Sequence, residues 1–397
     1  MQTLDYASWT LKLKRQVGDR RVPLGGTLEL THRCNNRCRH CFNNLRSDDA
    51  PALGSELSTR EVVRILDEAA ALGCVWVLLT GGETLLRPDF RDIYDHARGL
   101  GLLVTLFTNG TLVTPELADH LDRQRPFSIE ITLYGATRET YERVTANPGS
   151  YDACLRGIRL LRERGLPLKL KSTVSTLNRH EIEGMKRLAE DELGLPFRFD
   201  ALLNARCDGR PGPLALRLSA EEAVALDLAD PARAEALREF AAYRQPTGSG
   251  AALYPCGGAA HSFAIDPYGR LRACAISPGE GFDLRAASFR EGWEHFLAGL
   301  RALKLDTDAT CRSCSLRALC GMCPANGELE CGDPRRPVDF LCRVAHLRAL
   351  VLGIDLPLHG ECAFCPGGAQ HEELSRAAER LSGVMPIPGG APVIGRQ

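Results

Sequence analysis

The chain has 397 residues, 44% of them apolar, with 49 Lys and Arg against 50 Asp and Glu. That length allows two packed domains, and the balanced charge, without a long basic run, gives no electrostatic footprint for nucleic acid. No apolar stretch approaches the ~20 residues of a membrane helix, and residues 1–21 lack the apolar centre of a signal peptide, so a cytoplasmic protein with no membrane partner is expected.

In chain order, residues 27–31 (TLELT) predict a short strand leading into Cys34, Cys38 and Cys41. STRE at residues 58–61 is a capping box, and the apolar residues Val62, Val63, Ile65, Leu66, Ala69 and Ala70 that follow have helical spacing. Residues 75–80 (VWVLLT) read as a buried strand ending in Gly81-Gly82-Glu83. A helix over 91–99 and a strand over 102–108 follow, the strand ending in Asn109-Gly110. Next come a helix over 115–123, a strand over 127–133, a helix over 151–164 and a strand over 166–174. Asn178 caps a helix reaching about residue 193, and 197–203 predict a sixth strand. Six near-continuous apolar strands alternating with helices imply a parallel sheet, closed as a βα barrel or doubly wound. In either, the site belongs at the C-terminal strand ends, where the unusual polar motifs gather. Residues 206–250 read as a helical linker ending in a polar, Gly-rich stretch. Beyond it, 262–265 and 270–274 flank the turn sequence Asp266-Pro-Tyr-Gly269 and predict a hairpin. Helices are predicted over 289–302 and 338–352, and a loose Pro/Gly-rich tail from about residue 383.

Sixteen cysteines in a long chain without an export signal point to metal binding rather than disulfides. Cys74, Cys154 and Cys207 lie alone and read as small buried apolar residues. Cys34, Cys38 and Cys41 form CxxxCxxC, which can ligate three irons of a cubane cluster and leave the fourth iron open for chemistry. Taken alone the spacing also suits a zinc knuckle, with His32 or His40 as the fourth ligand. A second group comprises Cys256, Cys274, Cys311, Cys314, Cys320, Cys323, Cys331 and Cys342, and Cys362 and Cys365 form a last CxxC pair. Repeated CxxC units suit structural zinc as well as iron–sulfur clusters.

ELTHRCNNRCRHCF (residues 29–42) resembles the opening motif of the radical S-adenosylmethionine (SAM) superfamily. LLTGGE (78–83), TLFTNGT (105–111) and ITLYG (131–135) resemble its later motifs. The resemblance covers about residues 25–205. It implies a partial (β/α)6 TIM-type barrel that holds a [4Fe–4S] cluster on Cys34, Cys38 and Cys41. It implies SAM binding along Gly81, Gly82 and Glu83, with Asn109, Thr132 and Arg143 nearby. In such enzymes reductive cleavage of SAM yields a 5′-deoxyadenosyl radical that removes a hydrogen atom from the substrate, with an electron from a reductant such as flavodoxin or ferredoxin.

The C-x12-G-x4-C unit from Cys256 to Cys274, followed by Cys311-x2-Cys314-x5-Cys320-x2-Cys323 and then Cys342, is similar to the SPASM domain. That resemblance implies a small α+β cysteine-rich domain over about 251–370 with two auxiliary [4Fe–4S] clusters. Cys256, Cys274 and Cys323 would serve one, and Cys311, Cys314, Cys320 and Cys342 the other. Two residues separate Cys320 from Cys323 where the family has three, and the eighth position is left to Cys331, Cys362, Cys365 or His261, or open to substrate; Cys362 and Cys365 read equally as a cluster pair, a redox pair or a minor zinc site. The domain boundaries expected are an N-terminal extension to residue 24, the barrel over 25–205, the linker, the SPASM domain and a tail over 371–397. SPASM enzymes act mostly on peptides, so modification of a ribosomally made peptide is expected, with a small metabolite or tetrapyrrole as the alternative substrate. A non-catalytic iron–sulfur electron carrier is the third reading. Ala275, where the sulfatase-maturing branch has aspartate, argues against that branch. Only about 25 residues precede the first strand, so leader recognition is assigned to a separate binding protein or to the barrel. Glu83, Tyr134, Tyr268 and Asp200 are further residues expected to face substrate.

Overall fold

A computed structural model describes residues 6–18, 20–243, 252–254, 256–306, 309–356 and 361–384. The described chain forms two compact units, residues 1–216 with 254–303, and residues 217–253 with 304–397.

The first unit is built on parallel strands β1 (Gly25–Thr31), β2 (Trp76–Gly81), β3 (Leu103–Thr108), β4 (Ser128–Thr132), β5 (Leu168–Thr173) and β6 (Phe197–Asp200), hydrogen-bonded in that order. This is the partial α/β barrel expected from the alternation. Between the strands run α1 (Thr59–Ala71), α2 (Phe90–Gly99), α3 (Pro115–Arg123), α4 (Arg138–Thr145), α5 (Ser150–Glu163) and the short α6 (Ile182–Arg187). The capping box forms: Ser58 Oγ accepts from Glu61 N, and the Glu61 carboxylate accepts from Ser58 N. Thr114 and Thr137 cap α3 and α4 from one side only, each side chain accepting from a backbone N–H of the first turn. Asn178 makes no helix cap; its side chain ties Ser175 N to the carbonyls of Tyr134 and Thr173.

Leu79, Val104, Leu106, Ile129, Ile131 and Leu170 on one face of the sheet are almost wholly buried. Strand alternation puts Phe107, Glu130, Lys171 and Arg198 on the other face. The hairpin of β7 (Ser262–Ile265) and β8 (Arg270–Arg272) forms as predicted, with a further strand β9 (Phe282–Asp283). It does not stay within a separate cysteine-rich domain: β7 pairs parallel with β1, so the sheet has nine strands. The cause is local. Gly26 on β1 has no side chain, and a Cβ there would meet the Phe263 ring of β7 at 2.3 Å.

The second unit is helical: α7 (Ala220–Ala229), α8 (Pro231–Tyr243), α9 (Pro324–Cys331), α10 (Asp339–Leu352) and α11 (His371–Val384). Leu341, Val344, Ala345, Leu347 and Ala349 of α10 are buried at its centre. Arg348 crosses this core and is neutralised there, its Nε 2.7 Å from Asp227 Oδ2 and its Nη1 donating to Leu319 O at 2.9 Å. Residues 371–384, expected as tail, form α11 because Leu374, Ala377 and Ala378 recur at helical spacing and are buried. The Pro/Gly-rich stretch beyond residue 384 lies outside the described residues. Among the described residues no helix is long and apolar enough to cross a membrane.

Candidate functional site

Beyond the C-terminal end of β1 the chain turns into the first cysteine loop, which is held from several sides. The Arg37 and Arg39 amides donate to the carbonyls of Thr145 and Val144, the open C-terminal end of α4, at 2.8 and 3.3 Å. Leu45 N donates to His32 O at 2.8 Å, closing the loop at its base. Arg206 donates to Cys41 O at 3.1 Å, and Asn44 Nδ2 to Cys38 O at 3.3 Å. The loop therefore presents its sulfurs from a fixed backbone.

All three thiols are driven toward the protonated form. Burial, then the Glu83 carboxylate, pushes Cys34 up to about 12; burial and the neighbouring Cys41 and Cys34 raise Cys38, and burial raises Cys41. Three neighbouring thiols that repel one another as anions become stable thiolates only against a strong positive charge. The donors present point the same way: Asn36 N lies 3.4 Å and Asn109 Nδ2 3.8 Å from the Cys34 sulfur. Among the described residues, the one trio of ligand atoms lying within 4.8 Å of one another is elsewhere in the chain. These sulfurs sense each other without converging on one point, which fits a cluster with one sulfur per iron better than a single zinc ion. The buried His40 ring packs edge-on against Tyr134 at 4.9 Å, and burial lowers it to about 4.

Gly81 and Gly82 run beside this loop. Gly82 N donates to Thr31 O at 2.7 Å and Glu83 N to Arg33 O at 2.9 Å, so the backbones of β1 and β2 stay paired past their strand ends. A Cβ on Gly81 would lie 2.1 Å from Thr31 O, and one on Gly82 2.3 Å from Arg33 O. The glycines are demanded by this close approach of two backbones, a reason separate from contact with a ligand. The Glu83 side chain faces inward and is fully buried. Its carboxylate accepts from Thr108 Oγ1, Asn109 N and Leu85 N at 2.8, 2.7 and 3.1 Å, and burial raises its pKa. Its carboxylate therefore joins β2 to β3 rather than facing substrate.

Asn109 bridges two parts of the site. Its Nδ2 donates to Asn35 Oδ1 at 2.8 Å, and its Oδ1 accepts from Thr111 N at 2.9 Å. It positions the cysteine loop as well as standing beside Cys34. Thr132 ends β4 half-buried. Arg143, on the last turn of α4, donates to Leu177 O at 2.8 Å and to Thr140 Oγ1 at 3.3 Å. It is partly exposed and is tied to the loop after β5. Tyr134 reaches Cys38, Tyr268 packs edge-on against His32 at 5.3 Å, and Asp200 is exposed and accepts from Leu202 N.

One cysteine position differs from the lone-residue reading. Cys154 and Cys74 are buried as expected. Cys207 instead is fastened beside the first loop, its N donating to Phe42 O at 2.9 Å and its Sγ 3.6 Å from Ala275 O, next to Cys274. No spacing rule links a single cysteine to a residue 68 positions away, so no sequence signal marks it. Cys256 and Cys274 belong to the first unit, and Cys311, Cys314, Cys320, Cys323, Cys331 and Cys342 to the second. Within the second, Cys342 is raised by burial and by Cys320, Cys311, Cys314 and Cys362, which marks these five as neighbours. Cys331 at the end of α9 stands apart, its Sγ 3.7 Å from Pro337 O.

The sheet face opposite the buried one carries a polar wall. Lys171 Nζ lies 3.3 Å from Glu130, which also pairs with Arg198 at 2.5 Å, and the ammonium sits over the Phe107 ring. Burial lowers Lys171 to about 7 against its ordinary 10.5. Between these values the unfolded chain holds a proton that the folded chain has released, so this group makes stability rise with pH from about 7 to 10.5. Lys171→Met is expected to remove that rise. Paired thermal melts at pH 6.5 and 9.5 check it: the stability of wild type relative to the variant should be greater at the higher pH, and an unchanged difference would refute the assignment.

A model described as "Radical SAM superfamily" matches residues 28–189. The AdoMet-dependent heme synthase of Methanosarcina barkeri is 38% identical over 166 residues, 42% of this chain and 46% of the relative. The chain thus spans under half the length of this and the other curated relatives that match its barrel region at higher identity. Mycofactocin maturase MftC of Mycobacterium ulcerans is 29% identical over 305 residues, 74% of this chain and 80% of the relative. Among solved structures, Streptococcus suis SuiB bound to precursor peptide SuiA superposes with a TM-score of 0.64 at 16% identity, covering 86% of this chain and 82% of that one, a likeness of fold. With its cysteine loop, its glycine-paired strand ends and this match, residues 28–189 form a radical SAM superfamily region.

Proposed function

We propose that the protein is a radical SAM enzyme that modifies a ribosomally made peptide. The observation that carries the substrate class is the extent of the match to the mycofactocin maturase, which spans 74% of the chain and so extends well beyond the barrel. Cys34, Cys38 and Cys41 would hold the [4Fe–4S] cluster, and Gly81, Gly82, Glu83, Asn109, Thr132 and Arg143 would surround SAM. When bound, the cluster and SAM supply a 5′-deoxyadenosyl radical able to remove a hydrogen atom from an unactivated carbon. The rest is the chain's own work. Asn36 N–H and the Asn109 amide stabilise the Cys34 thiolate, and such donors to cluster sulfur tune its potential. The Glu83 carboxylate fixes Asn109 through its backbone N–H, so the β2 edge and the sulfur it serves move as one. Glu130, Lys171 and Arg198 offer the polar wall on which a substrate's charged groups would orient.

Cys256, Cys274, Cys311, Cys314, Cys320, Cys323 and Cys342 are the ligands we assign to two auxiliary clusters, with Cys331 unassigned. A second reading, tetrapyrrole modification, is favoured by the 38% identity to the heme synthase, but that match covers only 42% of the chain.

The test is anaerobic reconstitution followed by reduction with SAM. The wild type should release 5′-deoxyadenosine, and the Cys34→Ala/Cys38→Ala/Cys41→Ala variant should release none and bind about 4 fewer irons. A mass change in a short peptide encoded beside the gene would support the peptide reading. Turnover of a tetrapyrrole with peptides untouched would replace it, and no SAM cleavage by reduced wild type would leave an electron carrier.

A further inference from the structure

The second unit brings together three metal-ligating side chains that the cluster assignment does not use. Cys362 and Cys365 lie in the turn before α11, and His346 lies on α10. Their ligand atoms all fall within 4.8 Å of one another, with the sulfurs of Cys362 and Cys365 at 3.4 and 3.6 Å from His346 Nε2. We propose that these three residues bind a single zinc ion.

The geometry carries the proposal. With Zn–S about 2.3 Å and Zn–N about 2.0–2.1 Å at tetrahedral angles, the sulfur-to-nitrogen edge is about 3.6 Å. The two observed edges match it. A cubane cluster binds each protein ligand to a different iron, which spreads the ligand atoms, whereas three atoms this close converge on one ion. The imidazole is also set in the right tautomer. Its Nδ1 lies 2.7 Å from Cys342 O, a carbonyl that can only accept, so the proton is on Nδ1 and the Nε2 lone pair faces the sulfurs.

The turn is built to present both sulfurs. Cys365 N donates to Cys362 O, and Gln370 N donates to Ala363 O at 2.8 Å. Gly368 packs under the turn so tightly that a Cβ would lie 2.4 Å from Cys362 O and 2.5 Å from Ala363 O. Cys365, Phe364 and His346 are nearly inaccessible to water. There, two thiolates and a neutral imidazole cancel the charge of Zn²⁺, and binding releases the two thiol protons. The ion would staple the turn and α11 to α10. It would do so one helical turn from Cys342, which sits four residues before His346 on the same helix face.

The holoenzyme is tested as purified, by counting zinc and iron per chain. The wild type should hold one zinc, and Cys362→Ser/Cys365→Ser and His346→Ala should lose it while keeping their iron. A wild type without zinc, or variants that lose iron with zinc retained, would overturn the proposal and return Cys362 and Cys365 to a cluster. If the variants do not fold, zinc X-ray absorption on the wild type decides. A mixed shell of two sulfurs with nitrogen supports the site. An all-sulfur shell, or one of oxygen and nitrogen only, overturns it.

Discussion

Gly82→Ala is expected to abolish iron binding at the first cysteine loop and to lower the stability of the first unit. The added methyl would sit 2.3 Å from Arg33 O, 2.5 Å from His32 O and 2.7 Å from the Arg33 carbonyl carbon. All three are backbone atoms, so no rotamer change makes room. Overpacking of this kind costs about 1–3 kcal/mol even where neighbours adjust. Here the only adjustment is to push β1 away from β2 at the residue before Cys34. That breaks the Glu83 N to Arg33 O bond and moves the loop that presents all three sulfurs. Iron per chain after anaerobic reconstitution should fall by about 4, with other iron retained. Gly54→Ala is the control, because a Cβ there meets nothing within 4 Å. Iron content and melting temperature equal to wild type in Gly82→Ala would refute the crowding argument.

This case marks where the sequence was legible and where it was not. The Gly-Gly-Glu motif could be recognised from its letters, yet the physical reason for the glycines needed the partner strand. Glycine permits close approach, but which atoms approach is decided by the register of β1 on β2. The strands themselves were legible because each is rich in apolar residues on its buried face, as Leu79, Val104, Leu106, Ile129, Ile131 and Leu170 show. The Cys34, Cys38 and Cys41 spacing was legible because the loop is local. Contacts at long sequence separation were not. His346 joins Cys362 and Cys365 from 16 and 19 residues away, and on α10 it reads as one more polar residue in a helix. Glu83 reads as a candidate for substrate contact because a carboxylate at a strand end usually faces the site; three donors from its own turn and from β3 turn it inward. The pairing of β7 with β1 was hidden because each strand's pattern states only that it is buried, not beside which neighbour.

Glu56→Ala is expected to cost about 3–5 kcal/mol, the range for removing one partner of a buried ion pair. Arg33 and Glu56 side chains are 7% and 5% exposed, and the guanidinium meets the carboxylate in a two-pronged contact at 2.9 and 3.0 Å. The Thr31 hydroxyl donates to the same carboxylate, and Arg33 N donates back to Thr31 Oγ1 at 2.9 Å. Removing the carboxylate leaves a buried cation with the Ser47 carbonyl at 3.2 Å as a remaining acceptor. It also frees the segment from Thr31 to Arg33 that aims the chain at Cys34. The penalty is the orphaned charge rather than the value of the pair, so Arg33→Met/Glu56→Ala should recover most of the lost stability. Recovery of iron separates the two roles. If Arg33 and Glu56 serve only to cancel each other, the double variant regains both melting temperature and cluster. If the pair also sets the loop, stability returns while iron per chain stays about 4 below wild type. The geometry favours the second outcome, because the backbone of Arg33 is the strand end to which Glu83 N is bound. A single Glu56→Ala variant within 1 kcal/mol of wild type, judged against that same range, would refute the buried-pair account altogether.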